Sequence, residues 1–268
     1  MRKLGARTLG VVLLLLVEMA DASASDLYAF RFRSFGGSAS CPFGTQWQDD
    51  MIFHNTTAQD AIVRLVEMTG GEGDRTPQLA VPAGRTVTLA NNPGLWRLIN
   101  DGLWVIHLDV PDGVVVRSRA GAFSYDNFGG VPPSSVPDLG SFPMSVFPAL
   151  AAPGQVQLHM GADLGAEDAR INVGIYNAGG SVATVNIEVH AGCDDRVVET
   201  TTLSVPAGVV QQVGGLGRTS FQCPNGTVNT WLRYVTVTAD QPMLSYVSNL
   251  QNDAACLARM PYSAAIAP

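Results

Sequence analysis

The chain carries the same pattern of residues in its two halves. Residues 51–67 align without a gap with residues 173–189, which lie 122 positions later. A second match, 124 positions apart, sets the Val-Pro-Ala-Gly of residues 81–84 on the Val-Pro-Ala-Gly of residues 205–208. Solenoid repeats are much shorter, at roughly 20 to 50 residues per unit. The sequence therefore predicts two copies of one domain.

Apolar residues alternate with polar residues in both copies, as in Ala61, Val63 and Leu65. A period of two with many Val, Ile and Thr residues is typical of half-buried strands. Turn-forming residues follow the first run in each copy, beginning at Asn55 and Asn177, so we expect each copy to open with a β-hairpin. Proline and glycine in the shared Val-Pro-Ala-Gly suit a turn between strands.

Short strands without an amphipathic helix, spread over about 100 residues per copy, favour an all-β fold of two tandem immunoglobulin-like β-sandwich domains. The expected organisation is a signal peptide at residues 1–24, a first sandwich at 25–120, a connector at 121–153 and a second sandwich at 154–268. The connector is rich in proline and in aromatic residues. We expect it to pack against one or both sandwiches, with residues 144–147 as an edge strand of the second.

The first 24 residues have the pattern of a secretory signal peptide. Three basic residues precede an apolar run at residues 9–17, and Ala22-Ser23-Ala24 supplies a cleavage site of small residues. The apolar run is shorter than the roughly 20 residues of a membrane-spanning helix. We expect a secreted or periplasmic mature protein without a membrane span.

The charge balance argues against a nucleic acid as partner. The chain has a formal net charge of −7, and its single lysine, Lys3, lies within the expected signal peptide. A phosphate backbone is repelled by such a surface, and the arginines are scattered along the sequence.

Four cysteines in an exported chain favour two disulfides. Cys193, Cys223 and Cys256 lie in the second copy, whereas the first copy has Cys41 alone. We expect Cys193 to pair with Cys223 and Cys41 with Cys256; the alternative leaves Cys41 and one other thiol free. No C-x-x-C spacing occurs, so neither a metal site nor another cofactor is predicted.

The sequence lacks the motifs of common hydrolases. It has no Gly-x-Ser-x-Gly elbow and no H-E-x-x-H helix. Asp49-Asp50 and Asp194-Asp195 are interpreted as solvated turn carboxylates, because the six to eight oxygen ligands of a calcium site are not seen around them. The histidines fall on four separate predicted strands, and we expect them to have structural roles: His54, His107, His159 and His190.

Two tryptophans in the first copy are candidate ligand-binding residues. Trp96 and Trp104 bracket the segment LWRLINDGLW, and aromatic faces exposed on a sandwich can stack on sugar rings or anchor a protein. Packing in the core is the competing interpretation.

The second copy resembles a known repeat. Its RINVGIYN strand, Pro-Gly turn and LSYVSNLQND strand are similar to the immunoglobulin-like or fibronectin-III-like repeat found, often in tandem, in secreted and surface proteins of bacteria. The resemblance covers the second copy well and the first weakly. It implies a sandwich used as a spacer, adhesion or accessory module, and it brings no catalytic residues. The matching positions are Arg170, Asn172, Gly174, Asn177, Pro206, Gly208, Tyr246, Ser248 and Asn249.

Taken together, these patterns predict an exported, non-enzymatic binding or structural/adhesion module whose partner is a protein or glycan at the cell envelope or outside the cell. The first alternative is a carbohydrate-binding module that uses Trp96 and Trp104. The second is a hydrolase of unrecognised type, which requires a concave pocket where a histidine and carboxylates converge. Oligomeric state and ligand identity stay open.

Overall fold

The computed structural model describes residues 25–33, 45–67, 78–89, 102–124, 141–144, 146–147, 149–160, 169–217, 221–226, 228–229 and 233–251. Every regular element in these residues is a β-strand. The strands of the first half are β1 (Ser25–Arg33), β2 (Thr45–Asn55), β3 (Ala61–Glu67), β4 (Gln78–Val81), β5 (Thr86–Thr88), β6 (Gly102–Val110) and β7 (Val114–Ser124), followed by β8 (Ser141–Met144) and β9 (Val146–Phe147). The strands of the second half are β10 (Gln157–Met160), β11 (Ala169–Asn177), β12 (Ala183–Ala191), β13 (Val197–Val205), β14 (Val210–Leu216), β15 (Phe221–Gln222), β16 (Val228–Asn229), β17 (Arg233–Ala239) and β18 (Met243–Gln251).

The strands form four main antiparallel sheets. In the first half, sheet 1 has the order β5-β2-β7-β8 and sheet 2 the order β4-β3-β6-β1-β9. In the second half, sheet 3 has the order β14-β11-β18 and sheet 4 the order β10-β17-β12-β13, and a small hairpin pairs β15 with β16. Without β8 and β9, sheets 1 and 2 have the same strand order as sheets 3 and 4, so the sequence repeat is a repeat of topology.

Each half is a sandwich of two sheets around its own apolar core, which confirms the predicted all-β sandwich fold. Strand β12 shows the period of two that the sequence indicated, because its side chains alternate between buried and less buried positions. The first core lies between sheets 1 and 2 and includes Met51, Phe53, Val63, Leu65, Ile106, Leu108 and Val116. The second core lies between sheets 3 and 4 and includes Ile171, Val173, Ile175, Val185, Ile187, Val237 and Val247.

The expected opening hairpin is wrong in both halves. Strands β2 and β3 belong to different sheets, and so do β11 and β12. The turn between them carries the chain across the top of the core instead of folding it back beside the same strand. Alternation along a strand shows which face is buried, but it does not show which strand is the neighbour.

A buried asparagine closes this crossing in the same way in both halves. Asn55 donates from Nδ2 to the carbonyl oxygens of Gln59 at 2.7 Å and Val81 at 2.9 Å, and its Oδ1 accepts from the Thr57 amide at 2.9 Å. Asn177 donates to Ser181 O at 2.7 Å and to Val205 O at 2.9 Å, and accepts from Gly179 N at 2.9 Å. Both side chains are fully buried. The asparagine shared by the two copies therefore ties the crossing turn to the end of β4 or β13.

The shared Val-Pro-Ala-Gly forms the predicted turn between strands. In the first half the Arg85 amide donates to Pro82 O at 3.0 Å, and in the second half the Val209 amide donates to Pro206 O at 3.3 Å. The glycine of each turn has a positive φ, 63° at Gly84 and 68° at Gly208, as a type II turn requires at its third position. This turn needs glycine, which accounts for its presence in both copies.

The sheets of the two halves meet face to face. Sheet 2 contributes Phe30 and Val105, and sheet 3 contributes Tyr176, Leu244 and Tyr246, all buried in one cluster. The rings of Phe30 and Tyr246 pack edge to face with centroids 4.7 Å apart. With its other face, sheet 2 covers the first core, and sheet 3 likewise covers the second core. The four sheets therefore stack in the order 1-2-3-4.

One segment joins the edges of all four sheets, and we call its pieces β8, β9, Ala151 and β10 the strap. Strand β8 pairs with β7 in sheet 1, and β9 pairs with β1 in sheet 2. Ala151 donates to Met243 O at 2.8 Å and accepts from Met243 N at 3.0 Å, which attaches it to the edge of sheet 3. Strand β10 then enters sheet 4. The prediction that residues 144–147 belong to the second sandwich is wrong, since both strands of this segment extend the first.

We expect Asn55→Ala and Asn177→Ala each to lower the free energy of unfolding by about 2 to 3 kcal/mol, because each change leaves buried backbone carbonyls without a donor. Urea unfolding at neutral pH measures the difference. The control is Asn186→Ala, whose half-buried amide bonds the side chain of Glu188 at 3.2 Å. Equal losses for Asn177→Ala and Asn186→Ala would contradict the proposed role of the buried asparagine.

We expect Gly174→Ala to destabilise the protein by about 1 to 3 kcal/mol, as overpacking does, because a Cβ at Gly174 would lie 1.8 Å from Cε1 of Tyr246. Gly180→Ala is the matched control, since a Cβ there meets nothing within 4 Å. Combining Gly174→Ala with Tyr246→Ala should cost less than the sum of the two single changes. Additive losses in urea unfolding would show that the clash is not with Tyr246.

Candidate functional site

The described residues do not test the predicted tryptophan site. Trp96 lies outside the described residues. Trp104 is on β6, where its backbone pairs in register with Arg31 of β1, and its side chain is outside the described part. Stacking of Trp96 or Trp104 on a ligand therefore stays a prediction.

The predicted disulfide between Cys193 and Cys223 is present, with the two Cα atoms 6.1 Å apart. It ties the turn after β12 to the short β15–β16 hairpin. Arg196 in this turn donates from Nη2 to the Gln222 carbonyl oxygen and lies 3.6 Å from the Asp194 carboxylate. Cys41 and Cys256 lie outside the described residues, so their expected pairing stays a prediction. The turn and the hairpin together form what we call the disulfide end.

A stacked pair of rings lies beside this turn. The rings of His190 and Tyr234 are parallel within 7°, with centroids 4.5 Å apart. His190 Nδ1 lies 3.1 Å from the Asp195 carbonyl oxygen and therefore carries the proton, while Nε2 accepts from Thr236 Oγ1 at 3.0 Å. Partial burial, and then the charge and hydrogen bond of Asp195, raise the pKa of the Tyr234 hydroxyl. These contacts thus hold the turn after β12 against strands β12 and β17 of sheet 4.

A buried cation supports the same end from inside the sandwich. Arg233 is 4 % exposed, and its guanidinium lies 5.2 Å from the centre of the Phe221 ring. Burial lowers the pKa of Arg233, and the negative charge of Glu199 partly offsets this effect. Glu199 also accepts from the Gly217 amide at 2.7 Å. The disulfide end is therefore held by a covalent bond and by hydrogen bonds, and a buried arginine packs against its Phe221 ring.

A second polar group lies inside the second sandwich, and it combines the residue types of a nucleophilic site. His159 of β10 donates from Nε2 to Ser245 Oγ at 2.7 Å, and Ser245 in turn donates to Gln157 Oε1. All three side chains are buried. Burial lowers the pKa of His159 to about 4. Since the serine proton points to glutamine and the imidazole donates to the serine, this arrangement does not activate the hydroxyl.

The two remaining histidines bond to neighbouring strands. His54 Nδ1 lies 2.9 Å from Thr86 Oγ1, and His107 Nε2 lies 2.7 Å from Asp26 Oδ1. The structure does not bring the four histidines together. Among the described residues, no group of three or more His, Cys, Asp or Glu side chains could hold a metal ion. The side chains of Asp49 and Asp50 are outside the described part.

Comparison with known proteins places the chain in no group: no family model, curated protein or solved structure matches it. The described residues include no helix that is long and apolar enough to cross a membrane.

Sequence reasoning missed the polar group inside the second sandwich. A comparison of the two copies could have found it. When the copies are aligned by their strand registers, Gln157, His159 and Ser245 occupy positions that are apolar in the first half. Polar residues at positions where the other copy is apolar indicate a buried network. The first-half equivalents are Leu27, Ala29 and Val116.

Removing the disulfide should lower the stability of the second half. The two cysteines are separated by 30 residues, and closing a loop of this length in the unfolded chain is worth about 3 to 4 kcal/mol. We expect the double variant Cys193→Ser/Cys223→Ser to lose about this much in urea unfolding. Both proteins are kept under oxidising conditions, so that Cys41 and Cys256 are in the same state. A loss below about 1 kcal/mol would show that the bond does not constrain the unfolded chain.

Proposed function

We propose that the protein is an exported, non-enzymatic binding or structural module that uses its two sandwiches as one stacked unit and recognises a protein or glycan at the cell envelope or outside the cell. The observation that carries this proposal is the buried cluster around Phe30 and Tyr246, which joins sheet 2 to sheet 3. A contact of buried aromatic rings is suited to hold two domains in one fixed orientation, as a spacer or adhesion module requires.

The two copies use equivalent faces differently, which supports a structural role for the inner pair. Tyr176 and Leu244 pair across sheet 3 and are buried in the contact. The equivalent pair in sheet 1, His54 and Val115, is exposed, with Val115 at 42 %. Large apolar residues are thus placed where the sandwiches meet, whereas His54, Val115 and Arg117 on the outer face of sheet 1 are exposed.

The disulfide end is the surface we propose for recognition. It lies in the second copy, and we include in the proposed surface the stacked rings of His190 and Tyr234, which lie beside the charged side chains of its turn: Asp194, Asp195 and Arg196. A loop that is already fixed by a disulfide loses little conformational entropy on binding. Charged and aromatic side chains on a preorganised loop are common in recognition surfaces.

The test compares binding of the mature protein and its variants to isolated cell-envelope fractions and to a glycan array. We expect Arg196→Ala combined with Tyr234→Ser to weaken binding at least tenfold, since both side chains belong to the proposed surface. Arg117→Ala is the control, because this exposed arginine is on the outer face of sheet 1. Dissociation constants from surface plasmon resonance provide the measurement.

Equal binding by the wild type and the Arg196→Ala/Tyr234→Ser variant would reject the disulfide end as the recognition surface. Loss of binding in Arg117→Ala alone would move the surface to sheet 1. Turnover of any bound glycan or peptide would contradict the non-enzymatic assignment.

A further inference from the structure

The outer face of sheet 4 is rich in hydroxyl groups. Along β12 and β17 the side chains alternate between buried and less buried positions, so every second residue points away from the second core. The strand registers set the outward residues of β17, β12 and β13 side by side in cross-strand rows. We call this surface the threonine face, and its residues with an aliphatic hydroxyl group are Thr184, Thr200, Thr202, Ser204, Thr236 and Thr238.

The threonine face ends in an aromatic and apolar row beside the disulfide end. In this row the strand registers set Tyr234 and Val197 on either side of His190. The Tyr234 and His190 rings stack on each other, and Val197 is 45 % exposed. One continuous surface therefore offers hydroxyl groups for hydrogen bonding and, next to them, rings and an apolar side chain for packing.

Hydrogen bonds between side chains hold the middle of the threonine face in place. Thr202 donates from Oγ1 to Asn186 Oδ1 at 3.3 Å, and Asn186 donates from Nδ2 to Glu188 Oε1 at 3.2 Å. Thr236 donates from Oγ1 to His190 Nε2 at 3.0 Å. Polar side chains of three neighbouring strands are thus oriented before any ligand is bound, which lowers the entropy that binding costs.

This composition is specific to one end of the stack. In the first half the strand registers place Arg64 and Asp109, an ion pair at 3.7 Å, where the second half has Asn186 and Thr238. Sheet 1 is the outer sheet at the other end of the stack, and it exposes the charged Arg117 on its outer face. The sandwich fold therefore does not require a face of neutral hydroxyl groups.

The chemistry of the threonine face favours one class of partner. Among the described strand residues of this face, Glu188 carries the only formal charge, so a polyanion is repelled and a polycation is only weakly attracted. Protein interfaces are anchored mainly by Trp, Tyr and Arg, whereas Ser and Thr are under-represented there. A neutral polysaccharide presents hydroxyl groups that both donate and accept hydrogen bonds, together with the apolar faces of its sugar rings.

We propose that the threonine face binds a neutral polysaccharide, whose hydroxyl groups bond to the rows of threonines and whose ring faces pack on the row that contains Tyr234. This inference rests on the proposed recognition function, since it extends the recognition surface from the disulfide end onto sheet 4 and names the class of ligand.

Affinity electrophoresis of the mature protein, in gels that contain a soluble polysaccharide, tests the proposal. The neutral probes are galactomannan, xyloglucan and dextran, and the anionic probes are alginate and polygalacturonate. We expect retardation by at least one neutral probe and by neither anionic probe. Raising the salt concentration from about 0.1 M to about 1 M should leave the dissociation constant unchanged, because binding to a neutral chain involves no charge pair that salt could screen.

Variants of β13 test the position of the site. Thr200→Val/Thr202→Val removes two exposed hydroxyl groups at nearly constant shape, and we expect binding of the neutral probe to weaken about tenfold. Thr86→Val/Thr88→Val is the matched control, because it makes the same change at the same spacing on the outer face of sheet 1 and should bind as the wild type does. Thr200→Ser/Thr202→Ser keeps both hydroxyl groups and should also bind. If the valine variant aggregates, Thr200→Ala/Thr202→Ala removes the same groups with less apolar surface.

Unchanged binding in the folded valine and alanine variants of β13 would overturn the threonine face as the site, and so would an equal loss in the sheet 1 control. Tighter binding of an anionic probe than of every neutral probe would also overturn it. Isolated cell-envelope fractions separate this inference from the proposed function. Binding to a fraction that is lost after protease digestion, without retardation by any neutral probe, would identify a protein partner and reject this inference while the proposed function stands. Binding to no fraction and to no polysaccharide would reject both.

Discussion

The packing of sheet 2 on sheet 3 is the contact on which the arrangement of this protein depends. Phe30 meets Tyr246 edge to face, and the Tyr246 ring lies so close over Gly174 that a Cβ could not be accommodated there. The Tyr246 hydroxyl is not left unsatisfied, since it donates to Gln212 Oε1. With this contact in place, the strap passes the sheet edges in the order of the stack. Without it, the strap would be the link between the two sandwiches that the described residues provide.

The duplication separates scaffold from specialised residues. Asn55 and Asn177 make the same hydrogen bonds at the same place in each half, because the crossing turn imposes the same requirement on both. The faces differ because their positions in the stack differ. Arg117 in sheet 1 is exposed, whereas its equivalent Tyr246 in sheet 3 is buried against the other sandwich. The disulfide at Cys193 and Cys223 is a further addition, made at one end of the second copy.

The local features were readable from the residues. Alternation predicted strands, Val-Pro-Ala-Gly predicted a turn that uses the positive φ of glycine, and the position of the cysteines predicted the Cys193–Cys223 bond. The partners of the strands were not readable. Residues 144–147 extend the first sandwich and not the second, because edge pairing depends on where the chain passes after β7. His159 was assigned a structural role, but its bond to Ser245 joins residues 86 positions apart.

The sequence by itself determined the all-β class, the repeat and the alternation that divides each strand into a core face and an outer face, because these depend on residue type and local spacing. Tertiary structure alone decided that one outer face of each sandwich is buried against the other. It also decided that Gln157, His159 and Ser245 meet inside the second sandwich. Both outcomes depend on contacts between residues far apart in the chain. Such contacts become favourable only when folding has buried both partners together, away from water.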